Sequence, residues 1–410
     1  MGTLRVVNLA GDEVVSVGAD EFTALGEEVF TASELKKRIR EKCGHSTFRQ
    51  KLTHQGRPLA DKDNLFALES WDEEVQLLLL PLQRGRADEL LQAIQTWDWE
   101  SLEQILSEPQ DPNEAGELEE HMGTTPLVEA GDALDIVEVL LQARADVNQT
   151  GPCGQTALTN AVVCAGGAVQ RLIDASADVN LPGAWDFDCF GPPLWHAAWK
   201  GSDGWIRSRA SYRDRDDVYL LADAKADPNW ACTEEDNVEF GSRFEEDLIV
   251  AGTTPLAISA TLGTHQMASA FLDVRADPNK LDRWGRSPAL VAARGNSETV
   301  LWALFSAGAD LDLADNWERT PLWVAASMGH TRAVLTLLLA HVDVARADNW
   351  GRTPLHAALE QHVAPIVLGL LAYRADAEQP DRQGRTAKQI LAQQHHPPPV
   401  KMLIERHLQS

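Results

Sequence analysis

The sequence lacks most of the features on which small-molecule chemistry depends. Its five cysteines, Cys43, Cys153, Cys164, Cys189 and Cys232, are odd in number, widely spread and never form a Cys-x-x-Cys pair. That excludes a disulfide scaffold and an ordinary thiolate zinc site. There is no Gly-rich phosphate loop, paired set of zinc ligands or nucleophile elbow, each a spacing that phosphate, metal or acyl chemistry requires. Cys43 and His45 bring a thiol close to an imidazole, but no third group is placed to orient them. The expectation is therefore a protein that is not an enzyme, with no catalytic residues, no metal and no cofactor. No apolar run approaches the roughly 20 residues of a membrane-spanning helix. Met1 to Val6 have no apolar segment of a secretory signal, and Val6 stands where a myristoylation motif needs Ser or Thr. A cytoplasmic or nuclear location is expected.

Positive charge is the other shortage. Lys and Arg number 36 against 62 Asp and Glu, for a net charge of −26. So negative a surface repels phosphate backbones and anionic lipid, which argues against nucleic acid and membrane as partners and favours a protein with a basic surface. Residues 1–83 hold 10 basic and 14 acidic side chains, which leaves 26 and 48, or −22, for the remainder. The hydrophobic share of 44 % excludes wholesale disorder, and 410 residues exceed one ordinary core, so several domains or a repeat array are expected.

What the chain does have is a period. Trp-Gly-Arg-Ser-Pro at 284–288, Trp-Glu-Arg-Thr-Pro at 317–321, Trp-Gly-Arg-Thr-Pro at 350–354 and Gln-Gly-Arg-Thr-Ala at 383–387 succeed one another at a constant 33 residues, the mark of a stacked-repeat protein. Within one copy, Thr320-Pro321 suits a helix start: the hydroxyl accepts from orphan amides, and Pro sits where an N–H would have no partner. A first helix runs to Gly329-His330, and Val334, Leu335, Leu338 and Leu339 then recur at helical spacing as a second apolar stripe. Such a pair cannot bury its apolar face alone, so neighbours must stack. With Thr353-Pro354-Leu355-His356 intact, the segment resembles the ankyrin repeat family. That resemblance implies an α-solenoid that binds other proteins through a concave face made by the first helices and the turn tips.

Further units are marked by Thr125-Pro126-Leu127 and Thr156-Ala157-Leu158, preceded by an atypical pair from Ala87 that suits a first cap. From Pro192 to the closing Asp227 is 35 residues where regular copies take 23, and from Asp227 to Thr254 is 27 where they take 10. Insertions are thus expected near 202–217, rich in Arg (Arg207, Arg209, Arg213, Arg215), and near 230–250, rich in acid. Loops of this kind either carry binding or pair with each other. Arg207-Ser208-Arg209-Ala210-Ser211 has the form of a basophilic kinase target. After His395-His396 and three prolines, Val400–Leu408 reads as a closing cap, giving about nine units over residues 84–410.

Residues 1–83 lie outside the repeat. Leu4, Val6 and Leu9 with Val14, Val15 and Val17 suggest a hairpin, Thr31–Lys42 a helix buried through Leu35 and Ile39, and Val75–Leu80 a central strand buried on both faces. The order of hairpin, helix, strand, Gly turn at Gln55-Gly56 and closing Leu-rich strand resembles ubiquitin. The implied class is α+β, a ubiquitin-like β-grasp domain followed by the ankyrin array. Since the last strand runs on into Pro81-Leu82, no C-terminal Gly-Gly is available for conjugation, and Thr53 aligns with the Ile of that family's binding patch. Two functions follow. One is a scaffold or adaptor that binds a partner protein. The other is an accessory factor of ubiquitin-dependent turnover, in which residues 1–83 dock on ubiquitin-pathway proteins, a role tested by changing Leu52 and His54. A third reading, an enzyme hidden in the inserted loops, would need a polar pocket near Cys189, His196 and Cys232.

The candidate binding residues are Trp284, Trp317 and Trp350, at matching tip positions, and Arg286, Arg319, Arg352 and Arg385 beside them. Trp and Arg lead among interface hot spots. The alternative is local: each Trp stacks on its own Arg and stiffens the array. The two readings are compatible. Of a second aromatic group, Trp185, Phe187, Phe190, Trp195, Trp199, Trp205 and Trp230, most are expected to be core under the inserted loops, with a partly exposed Trp205 or Trp230 as a weaker binding candidate. Trp195 and Trp323 replace the His of Thr-Pro-Leu-His, and His356 is expected to hydrogen-bond its own turn.

Overall fold

In the computed structural model every Thr-Pro or Ser-Pro step between residues 250 and 393 opens a helix. The structure describes residues 3–7, 13–18, 31–43, 50–54, 57–60, 62, 65, 74–79, 85–107, 111–118, 123–131, 133–152, 154–164, 167–184, 190–199, 214–233 and 250–393. Outside them lie Cys153, Trp185, Phe187, Cys189, the Arg-rich stretch 207–213, Trp205, the acidic stretch 234–247, His45, the Gly turn at 55–56, His395-His396 and the cap expected at Val400–Leu408. The chain divides into two compact units, Met1–Ala177 and Asp178–Ser410.

The first unit begins with a mixed sheet. Strands β1 (Thr3–Val7), β2 (Glu13–Gly18), β3 (Gln50–His54), β4 (Arg57–Pro58) and β5 (Glu74–Leu79) lie in the order β2-β1-β5-β3-β4. β1 pairs antiparallel with β2 and parallel with β5, and β3 pairs antiparallel with β5. The parallel pair needs a crossover, and the helix Ala32–Cys43 lies within that connection. Leu35 and Ile39, one helical turn apart, pack on Leu4, Val6, Val15, Leu52, Val75 and Leu77. The strand from Glu74 is central as expected, but it is not buried on both faces: Val75 and Leu77 point into the core while Gln76 is exposed. A sheet covered on one face alternates in this way.

Among the described residues of this unit there are three further helix pairs: Ala87–Thr96 with Trp99–Ser107, Pro126–Glu129 with Leu134–Gln142, and Ala157–Cys164 with Val169–Asp174. Leu90, Leu91, Leu127, Leu140, Leu158 and Leu172 are essentially inaccessible to water, each worth about 1.5–3 kcal/mol of transfer free energy.

The second unit opens with the two-stranded pair Gly183–Ala184 and Phe190–Gly191, then helices Pro193–Ala197 and Asp214–Asp223. Four regular pairs follow: Pro255–Leu262 with His265–Asp273, Pro288–Arg294 with Glu298–Ser306, Pro321–Ser327 with Thr331–Leu339, and Pro354–Glu360 with Ala364–Ala372; Ala387–Gln393 is the last helix among the described residues. Thr254, Ser287, Thr320 and Thr353 each accept through the side-chain oxygen from the amide three residues on, with Pro at the first helical position. First helices rest on first helices and second on second. One expectation is corrected here. In the second helix of the third regular pair, Val334, Leu337 and Leu338 are buried, whereas Leu335 and Leu339 are 46 % and 56 % exposed. At about 100° per residue those two leucines lie well round the helix from Val334, off the arc that neighbouring helices cover.

Closing turns are tied together by a ladder. The carboxylate oxygen of Asp227, Asp277 or Asp310 accepts from the amide two residues on, and Asn180, Asn229 or Asn279 accepts from the amide of the next unit's Asp. Asp312 takes the Asn position once, accepting from the Asp343 amide at 3.0 Å. Burial, with Asp343 and Asp310 nearby, raises its pKa above the ordinary carboxylate value.

Candidate functional site

Each tip that carries a candidate residue is built on one carboxylate. Asp282 Oδ1 accepts from the amides of Trp284 and Arg286 at 2.9 and 2.8 Å, and its Oδ2 accepts from Arg286 Nε at 2.6 Å. Asp315, Asp348 and Asp381 repeat this arrangement with Arg319, Arg352 and Arg385, at Nε–Oδ2 distances of 2.8, 3.0 and 2.9 Å. The reversal at the tip needs a left-handed residue: Gly285, Gly351 and Gly384 supply it at φ near +75°, and Glu318 adopts φ 61° in the remaining copy. At Asp381, burial opposes ionisation, but hydrogen bonds from Arg385 and Gln383 hold the carboxyl below its ordinary pKa.

Held by its Asp, each guanidinium is aimed at the neighbouring indole. Arg286 lies 4.4 Å from the Trp284 ring centroid, Arg319 4.6 Å from Trp317, and Arg352 5.2 Å from Trp350. Stacks of this kind contribute about 0.5–2 kcal/mol. The candidate Trp and Arg residues are thus brought together in pairs, tip by tip, except that Arg385 has Gln383 in place of an aromatic. The indoles keep open surface. Trp317 and Trp350 are 38 % and 51 % exposed, and Trp284 is half-buried. Arg286, in contrast, is 4 % exposed, so it acts through Trp284 rather than at the surface.

Adjacent tips are also joined by their backbones. Asn316 N donates to the Trp284 carbonyl and Asn349 N to the Trp317 carbonyl, both at 3.0 Å, and Arg382 N donates to the Trp350 carbonyl at 2.9 Å. The Asn316 and Asn349 side chains add bonds to Arg283 O and Asn316 O. The three tryptophans therefore hang from one continuous ladder, and the register between them is fixed.

Between the first two tips lies a cavity of about 520 Å³, bounded by Trp284 and Trp317, floored by Leu290, Val324 and Trp323, and edged by Arg294 and Met328. Trp323 was expected only to alter packing. In fact it is the common wall of two tips: its ring lies 5.8 Å from Arg319 and 5.1 Å from Arg352, and its Nε1 donates to the Arg352 carbonyl at 2.9 Å. The signal for it was its place in the His position of the repeat, since His356 makes the equivalent contact, Nε2 to the Arg385 carbonyl at 3.2 Å. His356 also closes its own turn through Thr353, as expected.

In the second aromatic group Trp195 and Trp199 are buried, as expected for core, and Trp230 is half-buried. Trp195 is fully buried and meets Trp199 and Trp230 edge to face at 5.8 and 6.2 Å. His196 beside it is buried, donates from Nε2 to the Gly183 carbonyl at 2.8 Å, and has its pKa lowered to about 4 by loss of solvation. An imidazole in that state is a structural donor, already engaged. Cys232 is likewise buried, its thiol against the Val250 carbonyl. Among the described residues no group of His, Cys, Asp and Glu is placed to hold a metal ion, and no helix is long and apolar enough to cross a membrane.

Compared with known proteins, residues 292–381 match ankyrin repeats, in three copies. No curated protein matches the chain. No family was found for the N-terminal sheet, whose small mixed architecture is compatible with a β-grasp.

Proposed function

We propose that this chain, in which residues 292–381 are three ankyrin repeats, is a scaffold or adaptor whose residues 84–410 dock a partner protein on the Trp-lined tips. Ankyrin repeats are in general protein-interaction modules and are typically not enzymes. The observation that carries the reading to this site is the cavity between Trp284 and Trp317. Its aromatic walls are held by guanidinium stacking and by the tip ladder before any partner arrives. Little side-chain ordering remains to oppose binding, and a large apolar side chain of the partner fits between the indoles. Arg286 and Arg319 there are neutralised by Asp282 and Asp315, so the net negative field comes from the rest of the surface and favours a partner with basic surroundings.

The test compares the full-length protein with a Trp284→Ala, Trp317→Ala, Trp350→Ala variant in affinity purification. The variant should fold, since the indoles are partly exposed, and should bind its partners about thirtyfold more weakly or worse, as expected on losing even one hot spot of about 2 kcal/mol. Recovery of the same proteins at the same affinity would make the Trp row purely structural.

The strand order β2-β1-β5-β3-β4 keeps a second reading in view, in which residues 1–83 dock on ubiquitin-pathway proteins. Leu52 is buried in the core, so it is not available to a partner and changing it would report folding. His54, half-buried at the end of its strand, is the usable position.

A further inference from the structure

The first compact unit holds a basic groove in an acidic chain. The helix Ala32–Cys43 carries Lys36, Lys37, Arg38, Arg40 and Lys42 against only Glu34 and Glu41, although carboxylates exceed cations by 26 over the whole sequence. Near its C-terminal end, Arg144 Nη2 donates to the Arg40 carbonyl at 3.4 Å. Around that contact lies a groove of about 410 Å³ lined by Arg40, Arg144 and Arg171, with Leu141 and Val147 giving it apolar surface and Glu41 at its edge. Arg171 is paired with Glu138 at 3.4 Å. Among the described residues no ion pair includes Arg40 or Arg144. With so many carboxylates available, two such arginines on one groove leave a charge to be met from outside.

Arg144 is also placed against a backbone preference. It sits at φ 72°, in the left-handed residue that follows a second helix, a place taken in other copies by Ser176, Lys225, Arg275, Gly308, His341 and Arg374. An L side chain there costs about 1 kcal/mol, and a cation at a helix C-terminus recovers about 0.3–1 kcal/mol of it.

We infer that this groove binds an acidic segment of a partner polypeptide. Carboxylates would be met by the guanidinium forks of Arg40 and Arg144, which match carboxylate geometry, while an apolar side chain lies on Leu141 and Val147. A nucleic acid fits less well, because its phosphate backbone offers no apolar side chain to Leu141 and Val147 beside the charges.

The inference stands apart from the Trp-lined tips and is tested separately. Fluorescence anisotropy of the full-length protein at low salt would use a labelled octapeptide of sequence Glu-Glu-Leu-Glu-Asp-Leu-Glu-Glu. Controls are the same peptide with Gln and Asn for the acids, and an eight-residue oligothymidylate. The acidic peptide should bind at least tenfold more tightly than either control. The double variant Arg40→Gln, Arg144→Gly should weaken it about tenfold or more and flatten the salt dependence, while Arg332→Gln, which removes an exposed cation outside the groove, leaves it unchanged. Since glycine relieves the φ of residue 144, the variant should keep its melting midpoint, so lost binding would not be lost folding. Equal binding by wild type and double variant, absence of binding, or an oligonucleotide bound as tightly as the peptide would each overturn the inference.

Discussion

Two stretches of the second unit solve the same packing problem in opposite ways. In the tips from Asp282 to Arg385 the buried polar groups form a closed circuit. Asp meets two amides and a guanidinium, the guanidinium lies on an indole, and the backbone carbonyl of that Trp accepts from the next tip. Around Pro193–Ala197 the interior is aromatic and incompletely satisfied. Among the described residues Trp195 Nε1 is buried without a hydrogen bond, and His196 is held neutral. The tips gain their rigidity from polar contacts that a single deletion breaks. The aromatic cluster gains its stability from excluding water and is exposed to acid instead. Rigid tips suit preorganised recognition, and the contrast locates that property in the regular copies.

Breaking the circuit should have the largest effect. Asp315 has no exposed side-chain surface and accepts from two amides and Arg319 Nε. Asp315→Ala leaves both amides and a partly exposed guanidinium without an acceptor, and the expected loss is about 3 kcal/mol. Asp315→Asn keeps one oxygen for the amides and should lose about half as much. Because repeat arrays unfold piecewise, hydrogen exchange of the 315–320 amides reads this more directly than one global midpoint. Unchanged exchange in the Ala variant would show that the circuit does not hold the tip.

Acid should separate the two stretches next. Unfolded, His196 binds a proton near pH 6.5; folded, it does so only near 4. The unfolded state therefore holds more protons between these values, and the contribution is full above pH 6.5 and lost as pH falls toward 4, about 3 kcal/mol over the whole interval. Amides of residues 193–199 should lose protection across that window while those of 321–327 do not. His196→Gln should flatten the dependence, and a profile identical in both stretches would contradict the burial.

How much of this was legible in the sequence follows from what each signal encodes. The period of 33 and the Thr-Pro steps carry local backbone chemistry, and the helix starts fell where they pointed. Trp284, Trp317 and Trp350 could be placed at tips, but their stacking partners depend on Asp282, Asp315 and Asp348 four residues before each Arg. That relation is evident only once the tip folds back on itself. Helical spacing puts Leu335 and Leu339 on the apolar stripe, because it gives a stripe without saying which arc the neighbours cover. Trp323 could not be assigned from its own repeat, since its hydrogen bond reaches 29 residues onward. The groove of Arg40, Arg144 and Arg171 is assembled from three distant segments, so no spacing announces it.

The smallest difference isolates one hydrogen bond. Trp195 and Trp323 occupy the same position in their units, both buried, yet Trp323 Nε1 donates to Arg352 O while Trp195 Nε1 has no partner among the described residues. Replacing either by Phe removes similar volume, so the cavity contributions nearly cancel when the two variants are compared. What remains is the bond at 323 and the desolvated indole N–H at 195. Trp323→Phe leaves the Arg352 carbonyl without that donor and weakens the stacking of Arg352 and Arg319 against the ring, whereas Trp195→Phe removes a polar group that was buried at a loss. Trp323→Phe should therefore be the more destabilising by about 1–2 kcal/mol in denaturant unfolding. Equal losses would mean that the indole N–H contributes nothing in either setting, and that the tips and the aromatic cluster are held by packing alone.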